Sequence, residues 1–282
     1  MPKRVLFLLP LLLLCGCGEK NRVSTTEEWI DTLVVDTFVA DTISVEQKDI
    51  EKAEETALFD RNFDDFVYVF LRSSKLQKER VKHPLPYVDG VGDTTFLTAP
   101  QDWKQEFSFL DGDFHTVIFD SDAQFKGEQG TVSDSVLVQR IDLNMKSIIS
   151  YDFQRIDNRW MLCLIENSSF LESGISDFLH FYSSFASDSL FQRESIASQL
   201  HISIGDVEDD EEDGIEGTID AEQWSSFCTD VPNGIISNII YGQTYHNPTH
   251  MVLQKCGTSN GLEEIFVFDK QKGRWKLTSY EN

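Results

Sequence analysis

Arg159-Trp160-Met161-Leu162-Cys163-Leu164-Ile165-Glu166-Asn167 and Arg274-Trp275-Lys276-Leu277-Thr278-Ser279-Tyr280-Glu281-Asn282 both open on Arg-Trp-x-Leu and both close on Glu-Asn, 115 residues apart. The likeness extends upstream without a gap. Gln139-Arg140 falls on Gln254-Lys255, and Tyr151-Asp152-Phe153 on Phe266-Val267-Phe268. Residues 137 to 167 share seven identities with 252 to 282, where chance alone gives about two. The same offset lays Gln77-Lys78-Glu79-Arg80-Val81 on Gln192-Arg193-Glu194-Ser195-Ile196, and Leu85 on Leu200. Further upstream an offset of 112 places Phe63, Phe66, Val67 and Phe70 on Ile175, Phe178, Leu179 and Tyr182, so the second copy is expected to carry three extra residues between its helices. The chain holds one module twice, at residues 59–168 and 169–282.

Phe63, Phe66, Val67 and Phe70 are spaced i, i+3, i+4, i+7, the stripe of a helix lying on a core. Each copy therefore opens with a helix. A shorter helical segment follows at Lys75 to Lys82 and at Ser189 to Gln199, with Pro84 and Pro86 closing the first. The back half of each copy reads as antiparallel strands: Ser135 to Ile141, Ser147 to Ile156 and Arg159 to Ile165, then Thr249 to Cys256, Leu262 to Lys270 and Arg274 to Tyr280. Asp157-Asn158 and Gly273 make the tight turns. Asp102-Trp103 and Gln223-Trp224 match as equivalents, followed by strand-like Asp113 to Asp120 and Gly234 to Tyr241. Helices first and a curved antiparallel sheet afterwards is an α+β plan.

The amino-terminal segment specifies an address. Lys3 and Arg4 precede an apolar run, Val5 to Leu14, shorter than the ~20 residues a bilayer span needs. Leu14-Cys15-Gly16-Cys17 then supplies the large aliphatic and the small residue that a lipoprotein signal places before its modified cysteine. Residues 1–16 read as the signal peptide and Cys17 as the lipidated residue, its acyl chains able to hold a protein on a membrane without a spanning helix. Residues 17–58 are acidic, with a five-residue repeat (Asp31-Thr32-Leu33-Val34-Val35, Asp36-Thr37-Phe38-Val39-Ala40, Asp41-Thr42-Ile43-Ser44-Val45) that fits neither helix nor strand. They read as a flexible tether. Alternatively Trp29, Leu33, Phe38 and Ile43 dock as an added strand. Gly18 is not an inner-membrane retention signal, which favours the outer membrane.

A helix, a short helix and a bent sheet closing with a strongly paired hairpin resembles the nuclear transport factor 2-like (cystatin-like) fold. Together with the lipoprotein signal, the acidic spacer and the paired Arg-Trp-x-Leu hairpins, the chain looks like an uncharacterised family of Bacteroidetes lipoproteins with two such domains in tandem. The resemblance implies a cone between sheet and helices that receives a small apolar ligand, with Trp103 and Trp224 as candidate pocket residues. It also implies that the copies pair within one chain. Isomerases of this fold need an acidic base and an oxyanion hole of Tyr plus a protonated Asp, and no residues here take those roles by motif.

The formal net charge is −24, and −26 once Lys3 and Arg4 leave with the signal, which excludes nucleic acid as a partner. Among Cys163, Cys228 and Cys256 a Cys228–Cys256 bridge competes with buried free thiols. His246 and His250 sit four apart, but Pro248 between them argues against the helix a metal pair would need. Glu208 to Gly214 with Asp220 loosely resembles a calcium loop, although Glu216 stands where an apolar residue is usual; a solvated insertion is the plainer reading. His115, His180 and His201 have no nucleophile context, and no phosphate loop or dinucleotide fingerprint occurs. No cofactor and no metal is called for. The expected role is a non-catalytic binding or protein-interaction lipoprotein of the cell envelope, with a small molecule, a glycan or an envelope protein as partner. The alternative is a small-molecule isomerase, lyase or cyclase acting in the cone.

Overall fold

Asn62 starts the first helix by accepting the Asp65 amide on its Oδ1 at 2.7 Å, which satisfies one of the unpaired donors of that end. Helix α1, Phe63–Arg72, buries Phe63, Phe66, Val67 and Phe70 along one face. Ser73 ends α1 and caps α2, Ser74–Arg80. A short turn of helix, α3, follows at Asp122–Phe125, and the second copy opens with α4, Ser176–Ser187, and α5, Ser189–Glu194, which Asp188 caps. The computed structural model describes residues 58–104, 107, 110, 112, 114–127, 133–205, 215–227, 230–246, 249–257 and 261–282, all within one compact unit, Ile50–Asn282. Cys17, the repeat and Trp29 lie outside the described residues.

The helices correct one expectation. Ser73 and Asp188 are both caps, Gln77 Nε2 donates to the Phe70 carbonyl at 3.0 Å, and Gln192 Nε2 donates to that of Phe185 at 3.2 Å. Phe63 meets Trp160 edge-on at 5.2 Å, as Phe178 meets Trp275 at 5.4 Å. The offset is therefore 115 in the helices as in the hairpins, and the turn between the helices holds no extra residues. A slip of three puts a helical stripe back on itself, so apolar pattern alone could not separate 112 from 115. A second correction is that the helix expected to run to Gln199 stops at Glu194. The carbonyl of Ser195 accepts the Leu277 amide at 2.8 Å, and Ile196–Ile204 continues as a strand beside that edge.

Among the described residues, twelve strands form two six-stranded sheets. The strands are β1 Leu85–Val88, β2 Thr94–Leu97, β3 Phe114–Phe119, β4 Ser135–Asp142, β5 Ser147–Ile156, β6 Arg159–Ser169, β7 Ile196–Ile204, β8 Ile215–Ile219, β9 Ile235–Ile240, β10 His250–Gly257, β11 Glu263–Gln271 and β12 Arg274–Glu281. Their orders are β2-β1-β6-β5-β4-β9 and β3-β10-β11-β12-β7-β8. Pairing is antiparallel except for β1 with β6 and β12 with β7. Asp157 and Asn158, both at positive φ, make the β5–β6 turn, and Lys272 and Gly273 repeat it, the backbone that suits a two-residue hairpin. A register shift at Asp152/Phe153 recurs at Val267/Phe268; such bulges bend a sheet around the helices it covers. The fold is α+β.

The two copies exchange a strand. β3 of the first pairs with β10 of the second, and β9 of the second pairs with β4 of the first. Leu137 faces Ile240 in one sheet and Val252 faces Phe119 in the other, so the swap preserves register. Where β3 and β9 pass each other, Thr116 and Ser237 trade backbone and hydroxyl bonds in both directions, and Asn238 Oδ1 accepts the Ile118 amide at 2.9 Å. These side chains are buried and fully engaged, as polar groups inside a core must be.

Candidate functional site

Each Arg-Trp hairpin packs against the start of its opening helix, and there the copies have diverged. In the second, the Trp275 indole N–H donates to Asp177 Oδ2 at 3.0 Å, and Lys270 Nζ lies 2.6 Å from the same oxygen and 5.0 Å above the indole ring. The Lys270 hydrogen bond, aided by the indole, holds the Asp177 carboxyl below the usual carboxylate range. This cluster borders a cleft of about 350 Å³.

In the first copy Trp160 and Arg155 stand at the matching positions, with the guanidinium 5.7 Å from the ring. Asn62 replaces Asp177, and its amide is turned away into the helix, donating to Asp65 Oδ2 at 2.6 Å while its oxygen caps. The indole Nε1 of Trp160 and the Nε of Arg155 are buried with no acceptor. Beneath them lies an ion pair that the second copy lacks. Arg80 reaches both oxygens of Asp60, at 2.9 and 2.8 Å, with both side chains almost fully buried. Asp60 Oδ1 also accepts the Trp160 amide at 3.1 Å, and its carbonyl accepts Arg155 Nη2 at 2.8 Å. At an offset of 115 these residues become Ile175 and Ser195.

The cleft beside Trp160 measures about 260 Å³ and is lined by Arg61, Asn62, Asp64, Arg155, Trp160 and Tyr241 among others. The Tyr241 hydroxyl donates to Asp64. Burial, with the negative Asp64 beside it, pushes the Tyr241 phenol well above its ordinary value of 10. A group whose pKa is raised by folding stabilises fully below its unfolded pKa and loses that contribution as pH rises through the folded one. Stability should therefore decline from about pH 10 upward, with a shallower decline in Tyr241→Phe. Urea midpoints across that range check it, and identical slopes would contradict it.

Trp103 and Trp224 are core side chains, 7% and 3% exposed. Trp103 Nε1 donates to Gln77 Oε1 at 3.1 Å, and Trp224 Nε1 donates to Gln192 Oε1 at 3.3 Å. Each thus ties the middle of its copy to its second helix, and neither lines the clefts above. The second core holds a polar group that no motif announced: Glu264 accepts the Tyr280 hydroxyl at 2.8 Å and pairs with Lys255. The first copy has Arg140, Ile149 and Ile165 there.

His246 and His250 take separate partners. The His246 amide donates to Asp120, whereas His250 lies between Asp269, at 2.8 Å, and Asp122, at 3.4 Å. Residues 206–214 of the acidic segment lie outside the described residues, and Asp220 caps the turn Ala221–Ser226. Cys163 and Cys256 are free thiols. Burial raises both, Cys256 to about 11. Cys228 lies outside the described residues.

Two curved sheets packed by helices, with aromatic cores and small clefts at the hairpins, define a nuclear transport factor 2-like α+β protein. The chain belongs to the family described as Domain of unknown function (DUF4348), which matches residues 41–282. It is similar to a nuclear transport factor 2-like protein from Bacteroides fragilis NCTC 9343 of known crystal structure, with 32% identity over 79% of this chain and 96% of that one and a TM-score of 0.71. No curated protein matches it.

Proposed function

We propose that this chain is an exported lipoprotein, anchored through Cys17 to the outer membrane, whose α+β body acts by binding a partner rather than by turnover. The observation that carries the reading is the order of segments: two cations, a short apolar run, Leu14-Cys15-Gly16-Cys17, and an acidic stretch ahead of the folded body. Kinship with a Bacteroides fragilis protein fits an envelope that processes such signals. Binding is favoured by the interior. Both cores are filled with aromatic side chains, and the acid and tyrosine that share one of them, Glu264 and Tyr280, are engaged with each other and with Lys255. An isomerase, lyase or cyclase would need such a pair at a common point open to substrate.

The test is metabolic labelling with a palmitate analogue, followed by membrane fractionation. The wild-type chain should label and sediment with outer membranes, and Cys17→Ala should do neither. Labelling that persists in Cys17→Ala would refute the anchor.

A further inference from the structure

The internal duplication supplies its own comparison, because one copy shows what the Arg-Trp hairpin binds when an acceptor is present. In the second copy the indole N–H and the cation on the preceding strand converge on one carboxylate, that of Asp177. In the first copy the indole, the cation and the aromatic Phe63 keep their mutual arrangement, but Asn62 uses its side chain as a helix cap. The Trp160 N–H and the Arg155 Nε are left buried without an acceptor, a condition that costs stability unless a partner relieves it. Trp160 is 2% exposed, so the orphan donor belongs to the core wall rather than to a mobile surface ring.

The cleft's remaining lining is consistent with that chemistry. The charged residues of its lining are Arg61, Arg155 and one acid, Asp64, which accepts from Tyr241. Asp60, close beneath, is neutralised by Arg80. One positive charge remains in this cleft, on a chain of net −24. Phe63, Val136, Trp160 and Tyr241 give it apolar walls. Its volume of about 260 Å³ falls below the ~300–1,000 Å³ of pockets for drug-sized ligands.

We infer that the cleft at Trp160 binds a small carboxylic acid with an apolar or aromatic body, its carboxylate taking on Trp160 and Arg155 the place that Asp177 takes on Trp275 and Lys270. This deepens the binding reading and rests on it, but it does not depend on the lipid anchor. Loss of ligand binding with Cys17 labelling intact would remove the site and leave the anchor standing.

The experiment follows the indole N–H signals of the five tryptophans in the ¹⁵N-Trp-labelled full chain, titrated with benzoate and, separately, with benzamide. Benzoate should move the Trp160 signal selectively, and uncharged benzamide should bind about tenfold more weakly or worse. Asn62→Asp, which gives the first copy the second copy's own carboxylate, should shift the Trp160 signal without ligand and abolish the response. Trp160→Phe identifies the signal; should it not fold, the ligand-free shift in Asn62→Asp identifies it instead. The inference is overturned if benzoate leaves the signal in place, if benzamide moves it equally, or if Asn62→Asp still responds.

Discussion

Replacing Asp60 with Ile should destabilise the body by about 3–5 kcal/mol, because it leaves Arg80 charged and unpaired in the interior. Arg80 has no exposed surface, and its side chain makes two bonds to Asp60 and a longer one to the Trp160 carbonyl. The second copy runs the same backbone with Ile175 and Ser195, so the fold does not require the pair. What it requires is that neither partner stand alone. Asp60→Ile with Arg80→Met, which keeps much of the arginine stem's volume, should therefore recover roughly half of the loss or more. Full recovery is not expected, since the Trp160 amide loses its acceptor. Urea midpoints for both single variants and the double complete the cycle. A double variant as unstable as the sum of the singles would show that the two charges do not act as a pair.

The duplication was legible because hairpins carry their identity in few residues: Arg-Trp-x-Leu, and turns that need positive φ. The β5 and β6 strands and their counterparts follow directly from it. The strand exchange was not legible. Phe114–Phe119 and Ile235–Ile240 are both apolar segments able to face β4 or β10 in one register, so the pattern specifies a strand without naming its partner. The choice rests on Thr116, Ser237 and Asn238, whose role appears only when the two strands cross. The divergent cleft was hidden for a related reason. Asn62 against Asp177 is one substitution inside a helix start, and an offset of 112 had set both residues against the wrong counterparts. Trp103 and Trp224 were legible as equivalents, but sequence could not tell a pocket wall from a core side chain whose N–H is met by a glutamine two elements away.

Exchange of β3 and β9 has a consequence for how the body comes apart. Phe268 is fully buried, with rings of Phe178, Phe181, Tyr182 and Phe185 at 5.2 to 5.8 Å around it; Phe153 holds the matching place among Phe63, Phe66 and Phe70. Truncating either to Ala should cost about 3–5 kcal/mol, from lost burial plus the cavity that remains. If the copies were independent domains, Phe268→Ala would lower the melting of the second alone, and Trp160 and Trp275 would report two transitions. Each sheet, however, takes one of its six strands from the other copy. Unfolding the second core withdraws β9 from the first sheet and strips β10 from β3, exposing the edge of β4 and the buried seam at Thr116 and Ser237. A single transition is therefore expected for wild type and for both variants, shifted alike whichever core is cut. Indole fluorescence against urea in the full chain, with Trp160→Phe and Trp275→Phe backgrounds separating the two reporters, decides it. Two midpoints that move independently would mean that the exchanged strands do not couple the cores.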